Sequence, residues 1–178
     1  MALGRTISVL GSAALAAGLL GACDAPRESA AAQVAASGLQ VMPMTVAGER
    51  FEIELAYEAE DIILGLGQRR ELDPRGGMIF IFPEPAFKSF VMRDCYIPID
   101  IAFLDSRGTV ITVHSMAVEE PQRPGESERD YNLRLEQYPS RYRATYALET
   151  LGGTWEEIGL KVGDQVVFDA EYLKSLAR

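Results

Sequence analysis

The chain has 178 residues, of which 26 are acidic, 17 basic and one His, with two Cys. A net charge of −9 argues against nucleic acid or anionic lipid headgroups as partners, since both need a basic surface. One His and two Cys cannot supply the four ligands of a structural zinc site, and neither a metal nor a cofactor is expected.

Arg5 precedes an apolar run, Ile7–Leu20, of signal-peptide length and too short to span a bilayer. The run ends in Leu20-Gly21-Ala22-Cys23, which resembles the lipobox of bacterial lipoproteins. The resemblance implies that residues 1–22 are removed and that Cys23 is joined to diacylglycerol and then N-acylated. The alternative is an ordinary secretory signal with an incidental Cys. One acyl chain binds a membrane only marginally and two hold it stably. A lipidated Cys23 would therefore anchor the protein in the inner or outer membrane, facing the periplasm. Asp24 is similar to an inner-membrane retention signal of enteric bacteria. Loss of residues 1–22 removes Arg5 and no acid, leaving a net charge near −10. Residues 23–45, rich in Ala, Ser, Gln and Gly, read as a flexible tether, and residues 46–178 as one domain. With Cys23 committed to lipid, Cys95 has no disulfide partner in the chain.

Within the domain, Phe51–Ala56 alternates apolar and polar residues and predicts a half-buried strand. Glu58–Arg70 reads as a short helix with Ile62 and Leu66 on one face, weakened by Gly65 and Gly67. Gly76-Gly77 turns into Met78–Phe82, a buried strand that Pro83 and Pro85 end. Phe87–Met92 is a further strand. Ile99–Leu104 and Thr109–Met116 flank the turn Asp105-Ser106-Arg107-Gly108 and predict an antiparallel hairpin. With Leu104 facing Thr109, His114 falls opposite Ile99 and Asp100 opposite Val113.

Glu119–Arg143, with its Pro, Tyr and charged residues, predicts a long excursion with a short element near Tyr131–Leu135. It is either a solvated loop or a docking surface. Ala144–Leu148 returns to strand. Thr154-Trp155-Glu156-Glu157 fits a capping box, Gln165–Phe168 a last strand, and Tyr172–Arg178 a terminal helical turn. The pattern predicts a β-rich α+β fold, a single compact β-barrel-like domain with two short helices.

The motifs Gly65-Leu66, Gly77-Met78-Ile79-Phe80, Val91-Met92-Arg93-Asp94-Cys95, Pro98-Ile99-Asp100, Ala147-Leu148-Glu149 and Gly163-Asp164-Gln165-Val166 resemble one bacterial and archaeal family. It is the domain of unknown function numbered 192, and the similarity runs from about Phe51 to Val167. The resemblance implies a compact β-barrel-like fold and a secreted or lipid-anchored setting, with no agreed activity. Typical members carry Trp where this chain has Val91, Lys-Asn-Thr at Arg93-Asp94-Cys95, and Met at Gly67.

Three residues are candidates for a ligand site: Arg93, Asp94 and Asp100. Asp100 lies among apolar residues, so its carboxylate must be hydrogen-bonded or paired. It is either a structural cap near the Pro98 corner or a ligand-contacting acid with Arg93 and Asp94. Asp94 and Asp100 also raise a paired-carboxylate hydrolase. Cys95 reads as a buried small apolar residue, with a regulatory thiol or a nucleophile as alternatives. A nucleophile would need His114, which lies too far along the hairpin unless the chain folds back at Pro98. No catalytic residue is assigned. The expected function is a small-ligand-binding or accessory module of an envelope lipoprotein. Its partners would be the membrane, through the lipid anchor, and a small molecule or envelope protein, but not nucleic acid.

Overall fold

In the computed structural model, which describes residues 33–177, a seven-stranded sheet forms the body of the domain. Its strands are β1 (Gln33–Val34), β2 (Gln40–Val46), β3 (Glu49–Ala56), β4 (Gly76–Ala86), β6 (Ile99–Leu104), β7 (Val110–Met116) and β9 (Ala144–Leu151). They lie in the order β1-β2-β3-β4-β9-β6-β7. A small second sheet pairs β5 (Ser89–Phe90) with β8 (Tyr138–Pro139). The described helices are α1 (Ala59–Leu64), α2 (Glu128–Arg134), α3 (Thr154–Ile158) and α4 (Ala170–Leu176). Neighbouring strands run antiparallel except β3 and β4, which are parallel and joined through α1.

The class is β-rich α+β, but the expected barrel does not close. The sheet stays open between β1 and β7. Residues expected as a last strand form single bridges instead, Thr45 with Val167 and Thr109 with Gln165. They draw the chain across one end of the opening without completing a ladder. The folded domain begins before residue 46, because β2 pairs with β3 over six positions from Val41 to Val46. The signal segment and Cys23 lie outside the described residues.

The centre of the sheet is buried on both sides, which explains the near-continuous apolar runs of β4 and β6. On one face Phe51, Ile53, Ile79, Ala102 and Leu148 pack with Trp155 of α3 and Leu173 of α4. On the other, Met78, Phe80, Ile101, Phe103 and Ala147 pack with Leu66, Met92, Cys95 and Tyr138. The first face is closed by helices and the second largely by loops.

Several local expectations shift for identifiable reasons. α1 stops at Leu64 because Gly65 takes φ +54°. β4 continues through Pro83 and Pro85, yet its ladder to β9 breaks after Ile81 and resumes at Ala86, since Pro has no N–H to give. The hairpin register differs by two from that expected: Ile101 faces His114 and Asp100 faces Ser115, with an irregularity between Phe103 and Leu104. Thr154 is the first residue of α3, not its cap. Gly153 precedes the helix, the Thr154 hydroxyl donates to the Leu151 carbonyl at 2.6 Å, and Glu157 instead accepts from Arg75 at 3.0 Å.

Asp100 is fully buried on the helix-covered face, as its β6 neighbours Ala102 and Leu104 show. Its Oδ2 accepts the Trp155 N–H at 2.9 Å, tying β6 to the first turn of α3. Oδ1 has no partner, and neither does the hydroxyl of its cross-strand neighbour Thr150. This burial and the bond to α3 are what the structural alternative expects of Asp100. Asp100→Ala should cost about 1–3 kcal/mol by orphaning the Trp155 N–H, and Asp100→Asn, which keeps an acceptor, should cost less. Thermal melts of the two variants check this ranking, and wild-type melting of Asp100→Ala would contradict it.

Candidate ligand site

On the loop-covered face one row of residues crosses five strands: Glu54, Met78, Glu149, Ile101 and His114. Its three polar side chains meet different fates. His114 Nε2 lies 2.8 Å from the Pro139 carbonyl, and the ring packs edge-on to Phe103 and Tyr138. Glu54 accepts two bonds from Arg69, at 2.6 and 2.7 Å, and one from Ser37. Burial alone would raise its pKa, but these bonds outweigh burial and hold it below the usual carboxylate range.

Glu149 has no such cation. It is buried, with 4% of its surface exposed, and no ion pair reaches it among the described residues. Desolvation pushes its carboxyl up to about 8, against weaker opposition from the Leu66 N–H and the more distant charge of Arg69. At neutral pH this side chain is mostly a neutral acid.

The turn Gly65-Leu66-Gly67 lies over it. A Cβ at Gly65 would stand 3.1 Å from Phe80 Cζ and 3.7 Å from Glu149 Oε2, and one at Gly67 only 2.7 Å from the Leu64 carbonyl oxygen. Glycine at 65 lets the chain after α1 press onto the sheet, and glycine at 67 lets it turn tightly against Leu64. Between this turn, β4 and the segment around β5 lies a cavity of about 490 Å³. Its walls include Ile62, Leu66, Phe80, Phe82, Phe90 and Val91. Of its titratable members Glu149 and Cys95 are buried, and Lys88 and Arg93 are partly exposed. Phe90 stands edge-on to Phe80 at 5.0 Å, and the Lys88 ammonium sits 4.0 Å from the Phe82 ring centroid.

Of the three site residues expected from sequence, only Arg93 lines this cavity. It also lines a neighbouring hollow, together with Asp94. The Arg93 guanidinium donates to Asn132 at 3.1 Å and Glu128 at 3.2 Å. Asp94, at φ +54°, gives its N–H to the Tyr131 hydroxyl at 3.1 Å, and that hydroxyl donates to Asp94 Oδ1 at 3.3 Å. Both residues thus pin the loop to α2. Asp100 faces the opposite side of the sheet, so it joins neither a ligand site with Arg93 and Asp94 nor a carboxylate pair with Asp94.

Cys95 is buried, and desolvation, followed by the charges of Glu149, Asp94 and Glu119, pushes its thiol up to about 12. Such a thiol is inert at neutral pH. His114 is engaged elsewhere, so the nucleophile alternative falls away. The Glu119–Arg143 excursion spends much of its charge on itself: Arg134 pairs with Glu126 at 2.7 Å and donates to the Glu120 and Pro121 carbonyls. Glu149, Lys88 and the Phe cluster had no part in the site expected from sequence. The one local sign was a Glu inside an apolar strand, Ala144–Leu151.

The family profile described as "Uncharacterized ACR" matches residues 42–168. The chain belongs to the DUF192 family. Its structure is similar to a crystal structure of a protein of unknown function from Novosphingobium aromaticivorans, at 31% identity and a TM-score of 0.66, covering 79% of this chain and 95% of that one. A Sinorhizobium meliloti structure, described as a candidate transcription regulator, is 30% identical, with a TM-score of 0.58 and coverage of 70% and 89%. No curated protein is matched.

The raised pKa of Glu149 makes stability depend on pH with a definite sign. The unfolded chain ionises this group in the usual carboxylate range, whereas the folded chain holds the proton until about 8. Its contribution is therefore fully present below the usual range and is lost as pH rises through about 8, at up to about 1.4 kcal/mol per pH unit. Glu149→Gln removes this dependence. Denaturant titrations should show the variant gaining on wild type between pH 5 and 8. A constant difference across that range would contradict the assignment.

Proposed function

We propose that this DUF192 chain is a small-ligand-binding module held in the bacterial envelope by a lipidated Cys23. The observation that carries the binding role is the cavity itself: apolar and aromatic walls around a buried carboxyl that no side-chain cation satisfies. Binding sites commonly combine apolar walls with a few polar groups and a residue of perturbed pKa. Of the five positions at which the chain departs from the family pattern, Gly67, Val91, Arg93 and Cys95 line this cavity, and Asp94 lies in the neighbouring hollow. Val in place of Trp at position 91 leaves space that an indole would fill. Arg93 serves at the edge of the site. The acidic surface gives no support to a nucleic-acid partner.

The anchor is supported by Leu20-Gly21-Ala22-Cys23 after its apolar run. No helix among the described residues is long and apolar enough to cross a membrane. A Cys23→Ser chain should remain unprocessed or leave the membrane fraction, and maturation with wild-type fractionation would rule the anchor out.

The binding role is checked with a fragment screen by NMR. Small aromatic and aliphatic fragments should shift the amide resonances of Gly65, Phe80 and Phe90 in wild type, and these shifts should disappear in Val91→Trp. Fragments that shift other regions only, or that shift both proteins alike, would contradict it.

A further inference from the structure

We propose that the cavity binds an apolar amine, with its hydrocarbon part against Phe80 and Phe90 and its ammonium paired with the Glu149 carboxylate. This rests on the cavity being a ligand site and adds the class of ligand. A buried carboxyl without a cation has two stable conditions, neutral or paired. Arg69, the cation whose charge reaches Glu149, is committed to Glu54 by two short bonds. Among the described residues no side-chain cation pairs with Glu149, so the ionised carboxyl can take its partner from a ligand, and it lines the cavity through which one would arrive.

The walls suit a cation as well. Aromatic faces attract ammonium groups, and the fold already seats one here, since Lys88 Nζ rests 4.0 Å from the Phe82 ring centroid. The net charge of −9 favours cations over anions in approaching the protein. Lys88 and Arg93 work against a cation at the exposed part of the cavity. Arg93 is partly neutralised by Glu128 and Asp94, at 3.2 and 3.7 Å. Lys88 has no such pair among the described residues.

Binding has a proton balance. At neutral pH the Glu149 carboxyl holds its proton, and a protonated amine forms the ion pair only as that proton leaves to solvent. Amine binding should therefore strengthen as pH rises from 6 to 8 and release protons to the buffer. The charged and titratable groups around Glu149 are Glu54 on β3 with Arg69 bonded to it, Cys95 and Arg93 on the β5–β6 segment, Lys88 before β5, and His114 across Ile101 in the same row.

The test is calorimetric titration of the full chain with three probes of similar shape: phenethylamine, 2-phenylethanol and 3-phenylpropionate. The amine is expected to bind about tenfold or more tightly than the alcohol, a difference of about 1.4 kcal/mol. Glu149→Gln should erase that preference. Lys88→Met, at a half-exposed position, should strengthen amine binding and so tests the charge preference independently of Glu149. Equal or tighter binding of the alcohol or the carboxylate, amine binding unchanged in Glu149→Gln, or amine binding weakened in Lys88→Met would each overturn the amine while leaving a ligand site. Absence of binding by all three probes, together with no fragment response at Gly65, Phe80 and Phe90, would overturn both.

Discussion

The central strands β4, β9 and β6 are apolar on both faces, and the fold has little helix with which to cover them. One face is closed by α3 and α4, with the buried Asp100 carboxylate receiving the first turn of α3. The other is closed by the turn after α1, by the segment around β5, and by the β8 strand that pairs with it. Loops carry more unsatisfied backbone and pack less regularly than helices. A cavity forms under such a cover, on the side where it does form here.

The polar residues of that face show how one physical rule gives different outcomes. A buried charge must be paired, hydrogen-bonded or neutralised. Glu54 is paired with Arg69, and His114 is satisfied by a backbone carbonyl. Glu149 is neutralised by its proton. Only the last of these leaves a carboxyl without a side-chain cation beside a cavity, and a group of this kind costs stability above the usual carboxylate range. Retaining it in the middle of a sheet is more readily understood as a requirement of binding than of folding.

Local sequence patterns carried much of the fold. Alternation marked β3, the glycine and aspartate of Asp105–Gly108 marked the β6–β7 turn, and the family motifs covered most of the domain. In the turn, Asp105 accepts the N–H groups of Arg107 and Thr109 at 2.8 and 2.9 Å. What eluded the sequence depends on distant pairing. The hairpin irregularity beside Leu104 moved His114 and Asp100 to new partners. β2 became visible as a strand only through its ladder to β3. Arg93 and Asp94 stood out because they are polar residues in an apolar stretch. Asp100 stood out for the same reason, but alternation along β6 sends it to the other face. Glu149 carried no strong local signal, because its setting is made by Met78 and Ile101 on the flanking strands and by Leu66 above.

The claim on which the site depends is that Glu149 holds its proton at neutral pH. A carbon-13 NMR titration of the side-chain carboxyl carbons, with Glu149 assigned by comparison with Glu149→Gln, measures this directly. The expected result is a carboxyl that titrates near 8. Titration in the usual carboxylate range, about 4, would show an ionised group satisfied by its own protein and would contradict the account.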